Sequence, residues 1–349
     1  MAKTHSKLTD FLAAQQAGEP LVCLLLAIAD ICTDIAEMTA KGALASITEK
    51  LESQNIQGET QTQLDVIAND LMIEGLKKCE VVAGLVSEEM DEVINIRAAQ
   101  YLVAFDPLDG SSNVAVNVSV GTIFSVLNAP ENRMPIEFDY LQAGSGQVAA
   151  GYALYGPATM LVLTIGKGTQ GFTLDLATKT FVLTHPNIQV AETTSEFAIN
   201  ASNERFWEAP IARYVDECKA GAAGGRGRDF NMRWVASMVA DVHRILLRGG
   251  IYLYPRDSKK PIKAGRLRLM YEANPTSFLI EQAGGKGSTG SMRIMDIVPD
   301  SVHQRVPLVI GTAQEVSLVE RYTQTFDSGD AQKGFSPLFG ERSLFHKKQ

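Results

Sequence analysis

Apolar residues recur at helical spacing over 20–43, where Leu21, Leu24, Leu25, Ile28, Ile31, Ile35 and Met38 share one face. A second stripe of Leu64, Ile67, Ala68, Leu71 and Leu76 predicts a helix from Thr60 to Lys77. Two unbroken apolar runs, VVAGLV at 81–86 and YLVAF at 101–105, predict buried strands, and the alternating VAVNVSVG at 114–121 predicts a half-buried one. Residues 149–190 read as a strand meander, with turns at GKG (166–168) and LATK (176–179). Near residue 195 the pattern changes. Helices are predicted over 204–218, 232–247 and 313–325, and strands at GIYLYP (250–255) and RLRLMY (266–271). A further helix over 274–285 has Asn274 as its cap, Pro275 in its first turn and Gly284 or Gly285 at its end. The pattern predicts a mixed α and β protein in two parts, 1–195 and 196–349.

Composition narrows the classes. The 349 residues are 45% hydrophobic and 21% charged, enough for two packed units. The longest apolar run, LVCLLLAIA at 21–29, is far short of the ~20 residues of a membrane span. The start, MAKTHSKLTDFLAAQQ, lacks the pattern of a secretory signal. Cys23, Cys32, Cys79 and Cys218 show no paired spacing, so they read as free thiols, and a cytoplasmic location is expected. Net charge is −8, yet Arg226 to Arg268 holds eleven Lys/Arg against three Asp. A basic island in an acidic chain points to a local anion site, or to a solvated strip. It lacks interleaved aromatics, and the overall charge argues against nucleic acid.

Acidic residues fall where predicted strands end. Glu88 and Glu89 end LVSEE, Asp106 and Asp109 end LVAFDPLD, and Glu272 ends RLMYE. Asp65 lies on the second helix and Glu59 precedes it. Each alone is at home as a solvated strand end or turn. Converged, two carboxylates at 4 Å repel by about 4 kcal/mol at an effective dielectric near 20, so a shared cleft calls for counter-cations. Hard ions with oxygen ligands, Mg²⁺ or Mn²⁺, fit better than zinc, since no His or Cys is adjacent. Gly110, Ser111 and Ser112 follow directly, and small residues at a helix start leave N–H groups for an anion. Metal beside phosphate is the apparatus of phosphoryl hydrolysis.

The segments SEE, FDPLDGSSN, VSVGTIF, SMVADVHR, GGIYLYP and RLRLMYEANPTSFLIEQAGG, in this order from about Gln63 to Gly285, closely resemble class I fructose-1,6-bisphosphatases. The wider group is the metal-dependent, lithium-sensitive sugar and inositol phosphatases. The resemblance implies a layered α-β-α-β-α sandwich, usually a homotetramer, and Mg²⁺-dependent hydrolysis of the 1-phosphate of fructose 1,6-bisphosphate in gluconeogenesis. It implies two or three Mg²⁺ or Mn²⁺ ions held by Glu88, Asp106, the Leu108 carbonyl, Asp109 and Glu272. Asp65 and Glu89 would position and deprotonate the attacking water, and Glu59 stands where an aspartate serves a further metal and a mobile loop. Gly110, Ser111 and Ser112 would hold the 1-phosphate. Asn200, Tyr254 and Arg233 would hold the 6-phosphate, with Arg233 reaching from a neighbouring subunit. Arg266 and Arg268 would sit near the sugar and the 1-phosphate.

Some positions depart from the family pattern. Arg266 replaces a lysine, exchanging a compact ammonium for a planar fork. Asn203 and Trp234 replace tyrosines, and Ala115 replaces an aspartate. Gln100 and Asn128 replace a lysine and an arginine of the AMP site, so weak or altered AMP inhibition is expected. Sedoheptulose 1,7-bisphosphate stays open as an alternative or second substrate. So does an inactive, anion-binding or regulatory relative.

Overall fold

The computed structural model describes residues 6–42, 50–54 and 60–328. Its first part opens with helices α1 (Leu8–Ala14), α2 (Glu19–Lys41) and α3 (Gln63–Lys78), with short strands β1 (Lys50–Gln54) and β2 (Thr60–Thr62) before α3. Then follow β3 (Val82–Ser87), β4 (Ile94–Asn95), β5 (Tyr101–Asp109), β6 (Val120–Asn128), a short α4 (Glu137–Tyr140), β7 (Gln147–Tyr155), β8 (Thr159–Thr164), β9 (Thr169–Asp175) and β10 (Thr180–Ile188). The last eight strands form one sheet, ordered β10-β9-β8-β7-β6-β5-β3-β4. The pair β3–β5 is parallel and β5 to β10 form an antiparallel meander.

The second part contributes β11 (Glu196–Ile199), α5 (Ala209–Lys219), β12 (Asn231–Met232), α6 (Met238–Arg248), β13 (Ile251–Tyr254), β14 (Leu267–Arg268), α7 (Asn274–Gln282), β15 (Lys286–Ser288), β16 (Arg305–Val306), β17 (Leu308–Gly311) and α8 (Ala313–Asp327). Its main sheet is β12-β11-β13-β17-β15, and β14 and β16 form a separate ribbon.

Side-chain alternation builds five layers. On β7 and β8, Ala149, Ala153, Tyr155, Leu161 and Leu163 pack with α1 to α3. Their neighbours Tyr152, Leu154 and Val162 face the other way, onto α6 and α7. The second sheet repeats the device. Ala198, Tyr252, Leu308 and Ile310 join the α6 and α7 layer, while Phe197, Ile199, Ile251, Leu253 and Val309 pack against α5 and α8. The result is the predicted α-β-α-β-α sandwich. Among the described residues no helix is long and apolar enough to cross a membrane.

Three local expectations are corrected. The strand expected over 114–121 is present only at its end: Ser111–Val116 form a 3₁₀ turn and β6 starts at Val120. The helix expected over 232–247 starts only at Met238, so Arg233 lies on an extended segment after β12. The buried Asp241 carboxylate captures the Val235 N–H at 3.1 Å, and Ala236 takes φ 65°. That turn consumes the residues the periodicity had assigned to helix. Finally, RLRLMY is extended only at Leu267–Arg268, and Leu269–Ala273 wind into a π turn that runs into α7. Asn274 therefore continues a helix instead of capping one.

Candidate active site

The first and second parts meet at a cavity of about 540 Å³. Its wall includes Asp65, Glu88, Glu89, Asp106, Asp109 and Glu272, so six of the seven acids named from the sequence gather in one place.

The strand β5 explains how two carboxylates three residues apart can share a site. On a regular strand, positions 106 and 109 would point to opposite faces. The β5–β6 register shifts between Asp106 and Asp109. Pro107 has no N–H to contribute there, and its carbonyl accepts the Thr122 hydroxyl at 2.8 Å. The irregularity re-aims Asp109 onto the side of Asp106, the effect a bulge has beside active sites. The Asp106 carboxylate accepts the Leu108 N–H at 2.9 Å. Asp109 accepts the Val239 N–H, at the start of α6, at 2.9 Å and the Ser237 hydroxyl at 3.1 Å. Gly110 sits at φ 77°, and a Cβ there would come within 2.8 Å of the Ser237 Cβ. Behind it, the amides of Ser111 and Ser112 open the 3₁₀ turn, where N–H groups have no partner within the turn.

Asp65 is fixed by a capping box. Thr62 donates its N–H to Asp65 Oδ2 at 2.5 Å and its hydroxyl at 2.9 Å. One turn on, Asn69 accepts the Ser87 hydroxyl at 2.7 Å, tying α3 to the strand that delivers Glu88. The π turn brings Glu272 back beneath Arg268, whose N–H it accepts at 2.5 Å. Arg268 Nη2 lies 3.2 Å from Glu88 Oε1.

The electrostatics are those of a cluster short of positive charge. One oxygen from each of Asp106, Asp109 and Glu272 lies within 4.8 Å of the others, and all three residues are buried. Burial, then the charges of Glu88, Asp109 and Glu272, push the Asp106 carboxyl well above the ordinary carboxylate range. Burial pushes Asp109 up to about 6, against the pull of the Val239 amide and Ser237 hydroxyl. Glu272 is pushed well up by burial and by Glu88, against the pull of Arg268. An all-oxygen, buried, mutually repelling set of this size fits a hard divalent cation.

The basic island divides. Arg226 meets both Glu315 oxygens at 2.7 Å and Arg228 meets one at 3.0 Å. Arg244 and Arg248 are held by Glu196 at 2.7 and 2.5 Å, and Arg256 by Glu208 at 2.6 Å. Lys263, Arg266 and Arg268 line the cavity. The island is therefore mostly structural ion pairs, and only its end reaches the cavity.

Two expected residues stand apart from this cavity. Arg233 is half-exposed, 3.9 Å from Glu196, and is not on the cavity wall. Asn200 lines a smaller adjoining hollow with Asn203, Trp207 and Asp257, and its side chain accepts the Ser202 N–H at 3.1 Å. Tyr254 lines both hollows, with the Trp234 ring 6.0 Å away. Glu59 lies outside the described residues. Thr62, Lys263 and Arg305 line the cavity without having been singled out. The spacing Thr62-x-x-Asp65 is a readable capping signal. Arg305 is not readable: it arrives by pairing with Arg268 across the β14–β16 ribbon.

Comparison with known proteins agrees with this architecture. Residues 6–186 match the family described as Fructose-1-6-bisphosphatase, N-terminal domain, and residues 190–324 match Fructose-1-6-bisphosphatase, C-terminal domain. A fructose-1,6-bisphosphatase class 1 of Methylibium petroleiphilum is 51% identical, covering 97% of both chains. One from Hydrogenophilus thermoluteolus is 53% identical, covering 95% of this chain and 93% of the relative. The crystal structure of Leishmania major fructose-1,6-bisphosphatase in holo form superposes with a TM-score of 0.87 at 36% identity, over 92% of this chain and 99% of that one. Its apo form gives 0.82 at 35% identity, over 92% of this chain and 100% of that one.

Proposed function

The chain belongs to the class 1 fructose-1,6-bisphosphatase family of phosphoric monoester hydrolases. On that premise we propose that it removes the 1-phosphate of fructose 1,6-bisphosphate, leaving fructose 6-phosphate and inorganic phosphate, as a cytoplasmic step of gluconeogenesis. The observation that carries the reading is the juxtaposition of Asp106, Asp109 and Glu272 with the open amides after Gly110.

Glu88, Asp106, Asp109, Glu272 and the Leu108 carbonyl would hold two or three Mg²⁺ or Mn²⁺ ions. When bound, such ions neutralise the carboxylates, polarise phosphoryl oxygens and make a water more acidic. Ser111 and Ser112 donate their N–H groups to the 1-phosphate, and Gly110 keeps that approach open. Glu89 accepts the proton of the attacking water, while Asp65, tied through Oδ2 to Thr62, orients that water. Glu59 would assist at a further cation. Arg266 and Arg268 balance charge on the sugar and phosphate side. Asn200, Tyr254 and Arg233 take the 6-phosphate, with Arg233 serving a neighbouring subunit of a homotetramer. Its position off the wall of its own cavity supports that assignment. In this reading 1–195 form an α+β domain supplying most cation ligands, and 196–349 an α/β domain supplying the 6-phosphate side.

Phosphate release from fructose 1,6-bisphosphate, sedoheptulose 1,7-bisphosphate and inositol monophosphate, with and without Mg²⁺, tests this. Fructose 1,6-bisphosphate is expected to turn over fastest and only with the cation, and Asp109→Ala is expected to be inactive but folded. Preference for the seven-carbon sugar would change the substrate. Absence of turnover would leave an inactive relative.

A further inference from the structure

Arg266 meets Asp257 through a single nitrogen. Its Nη2 lies 3.0 Å from Oδ1 and 3.3 Å from Oδ2. The Asp257 side chain is only 8% exposed, and its Oδ1 also accepts the Lys259 N–H at 3.1 Å. The backbone around it is fixed by an antiparallel bridge between Trp207 and Asp257. Arg266 lines the main cavity, whereas Asp257 lines only the adjoining hollow. Among the described residues, Nε and Nη1 of Arg266 take no protein partner.

We propose that Asp257 is a positioning residue: it holds the Arg266 guanidinium by one nitrogen, from behind, so that the remaining N–H edge is presented to an oxygen of the sugar bisphosphate. The proposal rests on the functional reading above. An arginine ordered before the ligand arrives loses less freedom on binding. A lysine would serve less well, because its rotating ammonium is a compact point charge without the fixed, separate edges of a planar guanidinium. The Asp257–Arg266 pair thus accounts for an arginine at a position where a lysine is the family pattern.

The charge of Asp257 makes the test sharp. A carboxylate near a doubly phosphorylated ligand repels it, so charge alone predicts that neutralising Asp257 lowers KM. Loss of positioning predicts the opposite sign. For Asp257→Asn, KM for fructose 1,6-bisphosphate is expected to rise roughly tenfold, with kcat held within about twofold. Asp257→Glu, which restores a carboxylate, is expected to recover part of the loss. Calorimetric titration of fructose 1,6-bisphosphate onto chelator-treated protein is expected to show the same weakening for Asp257→Asn. Thermal midpoints of the variants separate this from misfolding. An unchanged or lower KM and Kd for folded Asp257→Asn would overturn the proposal. A wild-type protein that binds the sugar but does not hydrolyse it would defeat the functional reading alone, and the ratio of Kd values would still decide the role of Asp257.

Discussion

Glu315 and Glu196 are buried about as deeply as Asp106 and Glu272, at 2% and 8% exposure against 3% and 4%, yet their surroundings are opposite. Glu315 accepts from Arg226, Arg228 and the Tyr214 hydroxyl, and Glu196 from Arg244 and Arg248. Asp106, Asp109 and Glu272 lie instead among other carboxylates. Burial alone does not mark a functional acid. What marks it is burial without a protein cation to match, because folding has then left a charge problem for something else to solve.

The sharpest way to break this contrast is to neutralise one member of each set. Asp106→Asn is expected to cut turnover by about 10³-fold or more, about 4 kcal/mol of barrier. The chelator-treated variant should be no less stable to urea than wild type, since it loses a repulsion. A large loss of stability would place Asp106 with the structural acids. Glu315→Ala is expected to do the reverse. It strands Arg226 and Arg228 and should cost about 3–5 kcal/mol in urea unfolding, with turnover per folded molecule retained.

A smaller effect lies in the pH dependence of stability without divalent cation. Asp109 has a folded value of about 6 against an ordinary 3.8. Its contribution is full below 3.8 and is lost as pH rises through 6, roughly 3 kcal/mol. His243, buried against the Tyr152 hydroxyl at 2.8 Å, is lowered from 6.5 to about 4 by burial and then by His185. Its contribution, of at most similar size, is present above 6.5 and lost as pH falls through 4. His243 opposes Asp109, but Asp106 and Glu272 are raised as well, so the wild-type urea midpoint should fall as pH rises from 4 to 6.5. His243→Gln should steepen the fall with rising pH that belongs to the Asp106, Asp109 and Glu272 cluster, and added Mg²⁺ should abolish it. A midpoint that rises with pH in the variant would contradict the sign given to that cluster. The smallest expected effect is that of AMP. Gln100 and Asn128 offer no charge to a phosphate, so saturating AMP should change turnover by less than about twofold. Strong inhibition would show that cations elsewhere serve that site.

The sequence made the meander and the acid-bearing strands readable because turn residues at 166–168 and 176–179 punctuate the one and because apolar runs stop on carboxylates in the other. It misplaced the start of α6 for a specific reason. Val235, Met238, Val239 and Val242 have helical spacing, but spacing cannot reveal that Asp241 takes the Val235 N–H. The π turn was hidden likewise, since Leu269–Ala273 have the same apolar character in either conformation. Asp65 was legible as an acid near the site, and the Thr62-x-x-Asp65 spacing carries its helix cap. Lys263 and Arg305 were illegible, because each reaches the cavity through a loop or ribbon whose path depends on distant pairing. The basic island looked like one feature, and only the positions of Glu196 and Glu315, far away in the chain, divide it.

The irregularity at Pro107 and Leu108 imposes a counting rule on any descendant of this gene. Side chains in the segment can drift, but a residue inserted or deleted between 106 and 109 would swing one of those two carboxylates through the sheet toward the helices of the outer layer. Spacing along that strand is therefore expected to be the least negotiable dimension of the chain.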